Sequence, residues 1–308
     1  MATAIPVLWG VTFLTFLVIN RLPGDAAQQL LGINATQQQI QQLRSKLNLD
    51  QSFITRYFDW LGDVLSGNLG RSFASDQTVT SILNERLPVT FELLAYALIV
   101  SLLFTVPVAL LAARRPNGIV DRLTMATSMA GLSVANYVLA LLLVYVFAVK
   151  LEWLPAIGYV NPADSFTGWL KTMTLPAFAL SLPVAAQLTR IVRTAVVEEL
   201  DKDYVRTAIG SGLPPVVVVG RNVLRNALMN PLTVLGLRVG YLLGGAVVIE
   251  TIFSLPGMGK LMIDAVKNGD PAVVQGVVLT TAAGFVVVNL VIDVLYLLVN
   301  PRLRDATT

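Results

Sequence analysis

Residues 198–228 read EELDKDYVRTAIGSGLPPVVVVGRNVLRNAL, and the rest of the chain is arranged about them. This is the most charged part of the C-terminal half, and apolar runs long enough to cross a bilayer stand on both sides of it. Its chemistry predicts a helix, a turn and the start of a second helix. Glu198, Glu199, Asp201 and Asp203 suit the first turn of a helix, where the peptide dipoles present positive charge. Gly210 and Gly212 suit the stop, because glycine adopts the left-handed conformation that ends helices. Pro214 and Pro215 suit the opening of the next helix, where a missing N–H leaves no bond unmade. By composition alone the stretch reads equally well as a basic loop that holds membrane orientation.

The composition sets the class. Of 308 residues, 55% are hydrophobic and 13% charged, against about 25% charged in a soluble domain. Mean hydropathy is +0.69. Such a chain has too few polar groups to cover a water-facing surface, so an all-α, polytopic membrane protein is expected. There is no cysteine, which excludes disulfides, thiolate chemistry and iron–sulfur clusters. There is no histidine, which excludes His-ligated metals, Ser-His catalysis and His proton relays. The net charge is +3, and the positives gather in particular loops, a pattern of membrane orientation rather than of nucleic-acid binding.

Six spans are expected. Residues 2–20 are uncharged and read as a first, uncleaved span, since they lack the basic start and small-x-small site of a signal peptide. Residues 21–89 are polar enough to form a small helical domain between spans one and two. In it Ile40, Leu43 and Leu47 make one apolar stripe. Tyr57, Trp60, Leu61, Val64 and Leu65 make another, suited either to the membrane interface or to packing on neighbouring helices. Residues 90–308 form the core with five further spans. Span two is 93–113, with a kink expected at Pro107. Span three, 123–149, is about 40 Å of helix by the rise per residue. That exceeds a hydrocarbon layer of about 30 Å, so tilting or protrusion is expected. Ser133 and Asn136 lie near its middle, as interhelical glue or as the lining of a cavity. Residues 150–171 suggest an interfacial lid. Span four, 172–189, is expected to be short and broken by Pro176 and Pro183. Span five, 226–249, carries Gly236, Gly240 and Gly244 at every fourth residue, a ridge that lets another helix approach. Span six is 272–299.

Residue order then identifies a family. Asp203-Tyr204-Val205-Arg206-Thr207-Ala208, three residues and Gly212 resemble the EAA loop of ABC importer permeases, in the dipeptide/oligopeptide branch. Gly67-Asn68-Leu69-Gly70-Arg71-Ser72-Phe73 resembles that family's G-D-L-G-R-S-F, and Glu250-Thr251-Ile252-Phe253 through Pro256-Gly257-Met258-Gly259 its E-T-x-F-x-x-P-G-x-G. Arg21-Leu22-Pro23-Gly24-Asp25 is similar to R-L-x-P-G-D, one residue shorter, and Pro301-Arg302-Leu303-Arg304 to D-P-R-x-R, with Asn300 for Asp. The resemblance implies a permease subunit of an ATP-driven importer of peptides or related small molecules. It implies that Asp203, Tyr204, Arg206, Thr207, Ala208, Gly212 and Leu213, within a cytoplasmic loop 190–226, dock on a partner ATPase. The implied partners are a homologous second permease, two ATPase subunits or domains, an extracytoplasmic substrate-binding protein and membrane lipid, with no nucleic acid. The chain has no G-x-x-x-x-G-K-[ST] loop, so ATP and Mg are expected on the partners and no cofactor here.

Lys and Arg counted in the later short loops place both termini inside, whereas Arg21 after an uncharged first span argues for the opposite orientation; the resemblance decides for the first and implies a bacterial plasma (inner) membrane. Arg238 is the one positive charge deep inside a span, and two-residue offsets place it opposite the glycine ridge. It either pairs with Asp293 or meets a carboxylate on passing cargo, with Asn136 beside the same path. The rival function is a secondary transporter driven by an ion gradient. Internal repeats and intramembrane acids would mark one, but no repeat is visible and only Asp293 is a deep acid.

Overall fold

The computed structural model describes residues 4–21, 36–46 and 51–299. Of the motif ending at Asp25 only Arg21 is among them, and the motif ending at Arg304 lies outside. The described residues are helical, with no β-strand beyond an isolated Arg71–Thr78 bridge. In order the helices are α1 (Ala4–Arg21), α2 (Gln37–Lys46), α3 (Phe53–Leu65), α4 (Val79–Ala113), α5 (Ile119–Ser133) and α6 (Asn136–Leu143). They continue with α7 (Phe166–Leu200), α8 (Asp203–Gly210), α9 (Pro215–Val217, a π-helical stretch Val218–Val223, then Leu224–Ala227), α10 (Met229–Ile252), α11 (Met258–Lys267) and α12 (Pro271–Val299). A π-helical turn, Val144–Lys150, prolongs α6. Among the described residues four helices are long and apolar enough to cross a membrane, and five if the bent pair α5–α6 is one span; Pro6–Asn20 is a shorter apolar helix.

The chain divides into two compact units, Met1–Val89 with Gly257–Val286, and Thr90–Pro256 with Val287–Thr308. In the first, Tyr57 and Trp60 of α3 pack against Phe16 of α1, ring centroids 5.6 and 5.3 Å away. Tyr57 is buried and its hydroxyl is 2.9 Å from Thr12 Oγ1. This aromatic stripe therefore packs on a neighbouring helix. Val79, Ile82, Leu83, Met258, Ala265, Val273 and Val277 form a separate core. Asp270 caps α12 by accepting from Val273 N–H at 3.2 Å, and takes the Ser72 hydroxyl at 2.6 Å, which pins the turn after Gly70.

In the second unit α7 is the central helix, with α5, α6 and α10 packed on it. It runs unbroken for 35 residues through Pro176 and Pro183, where a short, interrupted span was expected. Both prolines are buried, and packed neighbours can keep a proline-containing helix whole at membrane depth. Span three departs in the opposite sense. Val134 (φ −91°, ψ 126°) and Ala135 (φ −66°, ψ 141°) are extended, and α5 and α6 meet at 102°. The single long helix expected over residues 123–149 is thus divided by this break. Arg193 of α7 forks onto Asp121 of α5, its Nε donating to Oδ1 at 2.8 Å, while Asn117 N–H reaches Oδ2 at 2.8 Å. The 151–165 loop is tied down: Gly158 N–H donates to Phe253 O at 3.2 Å, and the Tyr159 hydroxyl to Glu92 at 3.0 Å.

Candidate functional site

Two arrangements in the second unit have functional geometry. The first is α8, eight residues between the 35-residue α7 and α9. Of the four acids expected to open it, only Asp203 lies in its first turn. Glu198 and Glu199 end α7, and Asp201 caps it, because α7 runs on to Leu200. The stop falls as expected. Gly212 has φ +85°, its N–H donates to Ile209 O at 3.0 Å, and Leu213 N–H donates to Ala208 O at 3.2 Å. These paired bonds form a Schellman motif, in which one left-handed residue closes the helix. The Ala-x3-Gly spacing is therefore the spacing of this motif, with its third-last helical residue at Ala208 and its left-handed residue at Gly212.

The underside of α8 is anchored. Val205 is buried in a cluster with Ala109, Ala113, Val192, Val196, Val218, Val223 and Ala227, and Ala208 packs against it. A polar clamp holds the entrance. The Tyr204 hydroxyl donates to Glu199 Oε1 at 2.8 Å, Asn226 Nδ2 donates to the Tyr204 oxygen at 3.3 Å, and Lys202 Nζ lies 2.5 Å from Glu199 Oε2. Burial, together with the Glu199 contact, pushes the Tyr204 hydroxyl above its usual range, and the hydrogen bond to Glu199 raises Lys202. Sequence reasoning placed Glu199 only as a helix-opening acid; its i,i+3 spacing to Lys202 was the available signal. The upper face is free in this chain. Asp203, Arg206 and Thr207 are exposed, and so are the apolar Ile209 (48%) and Leu213 (44%). A rigid short helix with an exposed mixed apolar and charged face can transmit force from a docked partner.

The second arrangement lies where the span breaks. Tyr241 of α10 donates from its hydroxyl to Asn136 Oδ1 at 3.2 Å, and the Arg238 guanidinium carbon is 5.9 Å from the Tyr241 ring centre. Arg238 Nε is buried without a hydrogen-bond partner, and Arg238 forms no ion pair among the described residues. It sits five residues, about 8 Å, inside the candidate span that starts at Thr233. The side chain of Asp293 lies outside the described side chains. Arg238 and Asn136 are thus brought together, and Tyr241, unremarked in the sequence, links them. Of the glycine ridge, Gly236 meets Asn289 and Ile292 of α12, where an added Cβ would lie 3.4 and 3.5 Å away. Gly240 is partly buried, and Gly244 is exposed with nothing near it. The close approach falls on Gly245, where a Cβ would stand 2.9 Å from both Asn136 Nδ2 and Leu180 Cδ1.

Residues 105–305 match the family described as binding-protein-dependent transport system inner membrane component, and residues 1–94 match its N-terminal companion. The chain belongs to this family. A Brucella abortus protein provisionally named a peptide transport system permease is 39% identical over 304 residues, covering 99% of this chain and 97% of its own. A Sinorhizobium fredii protein carrying the name of a peptide ABC transporter permease is 36% identical over the same span. The glutathione transport system permease of Escherichia coli K12 is 36% identical over 300 residues, 97% of this chain and 95% of its own. This permease is accordingly a multi-pass inner-membrane transport subunit of the ABC importer class, in the peptide family, and not an enzyme.

Proposed function

We propose that this permease forms half of the translocation path of an ATP-driven importer for peptides, dipeptides or oligopeptides, or related small molecules. A homologous second permease supplies the other half. An extracytoplasmic binding protein delivers cargo, and two ATPase subunits or domains hold ATP and Mg. Both termini and α8 face the cytoplasm, and residues 21–89 lie outside. Asp203, Tyr204, Arg206, Thr207, Ala208, Gly212 and Leu213 form the surface that docks on the ATPase. Arg238, Asn136 and Asp293 line the path, and the Gly236/Gly240/Gly244 side of α10 packs on helices. The observation that carries this reading is α8 itself, anchored beneath by Val205, closed by a Schellman turn at Gly212, and exposed above. Relatives named for peptides and for glutathione, a tripeptide, support the cargo class. The test is uptake by cells carrying the complete complex. Uptake should stop on ATP depletion and survive collapse of proton and sodium gradients; the reverse result would establish gradient-driven transport instead.

A further inference from the structure

The cluster at the break of α5 and α6 offers more donors than acceptors, and no carboxylate pairs with it among the described residues. Arg238 keeps a buried Nε with no partner. The Tyr241 hydroxyl is turned to Asn136 Oδ1, which leaves Asn136 Nδ2 without a hydrogen bond among the described residues. Tyr241 places its ring face near the guanidinium, which orients the cation without neutralising it. Arg238 and Asn136 are partly exposed and Tyr241 is exposed in this chain. Gly245 leaves the space that the Asn136 amide fills, beside Leu180. A cation inside a span is stable only with a counter-charge or with water. No described carboxylate pairs with this one.

We infer that Arg238, Asn136 and Tyr241 form a transient binding station for the terminal carboxylate of peptide cargo, an inference that rests on the importer function proposed above. A guanidinium fork matches a carboxylate in geometry and charge, and the amide N–H₂ of Asn136 supplies a further donor. The C-terminal carboxylate is present on every unblocked peptide whatever its side chains. A station that reads it recognises the class without selecting a sequence. One cation with neutral neighbours also holds the anion loosely enough to release it, as transit requires.

The absence of cysteine from the chain makes the test clean. The complete complex carrying Asn136→Cys, in nanodiscs, is labelled with an anionic sulfonate and with a cationic ammonium thiosulfonate reagent. The sulfonate reagent should react faster by about tenfold, corrected for intrinsic reactivity, and Arg238→Gln should remove that preference while Arg238→Lys retains it. Trialanine should slow labelling by about threefold and its C-terminal amide should not, as expected for a charge-assisted contact. Failure of both reagents to label, a charge preference unchanged by Arg238→Gln, or equal protection by acid and amide would each overturn the station. In those cases normal ATP-dependent uptake by the unsubstituted complex leaves the importer reading standing, whereas absence of such uptake overturns both.

Discussion

At the residue scale Gly212 carries the most consequence for its size. A Cβ there meets nothing within 4 Å, so the constraint is conformational and not one of space. At φ +85° a β-branched residue is strained by about 1–2 kcal/mol. Gly212→Val should therefore leave the subunit inserted and assembled but impair transport, whereas Gly212→Asn, which tolerates the left-handed region, should retain most of it. Uptake normalised to subunit abundance checks both, and equal activity of Val, Asn and wild type would remove Gly212 from the coupling surface. A second residue-scale prediction concerns Tyr159. Burial, and then its hydrogen bond to the Glu92 carboxylate, push its hydroxyl up to about 12. The folded value is above the unfolded one of about 10, so this contribution to stability is present below pH of about 10 and is lost as pH rises through about 12. Tyrosinate absorbance of wild type minus Tyr159→Phe should show a component titrating near the higher value, not the lower.

At the scale of elements, α10 shows how a ridge read from spacing can be shifted in register by packing. Gly244 belongs to the every-fourth-residue pattern, yet the close contact with α6 and α7 falls on its neighbour Gly245. Gly245→Leu has to displace Asn136 and Leu180, and overpacking of this kind destabilises by about 1–3 kcal/mol. Gly244→Leu projects into open space and should be near neutral within the subunit. Thermal unfolding of the two purified variants distinguishes them: a lower midpoint for Gly244→Leu than for Gly245→Leu would contradict the packing. The break between α5 and α6 belongs to the same scale. Extended backbone at membrane depth persists only where protein or water satisfies it, and here the break sets Asn136 against Tyr241.

At the scale of the molecule the question is which side α8 faces. Basic short loops stay cytoplasmic; Arg206 lies in α8, and Arg190, Arg221 and Arg225 flank it in sequence. Because the chain has no cysteine, Ser211→Cys introduces a single thiol, and Ser211 is exposed. A membrane-impermeant maleimide should label it in inverted vesicles and not in intact cells. Labelling only from outside would reverse the topology and separate α8 from any cytoplasmic ATPase.

The residues by themselves determined the class, the family and the stop of α8. A low charge content, long apolar runs and the Ala208-x3-Gly212 spacing are local properties, and local chemistry decides them. Turn chemistry was equally plain at Pro214-Pro215, where α9 begins. Tertiary structure alone decided the rest. Pro176 and Pro183 read as breakers, but buried neighbours keep α7 whole; residues 123–149 read as one helix, but the backbone bends at Val134-Ala135. Continuity of a spanning helix depends on what surrounds its free backbone groups, and a sequence window does not contain those surroundings. The bond of Asn226 to Tyr204, 22 positions apart, and the pairing of Tyr241 with Asn136, 105 apart, join residues distant in the chain. Such contacts exist only once the helices are packed, because it is packing that brings distant donors and acceptors within hydrogen-bond reach.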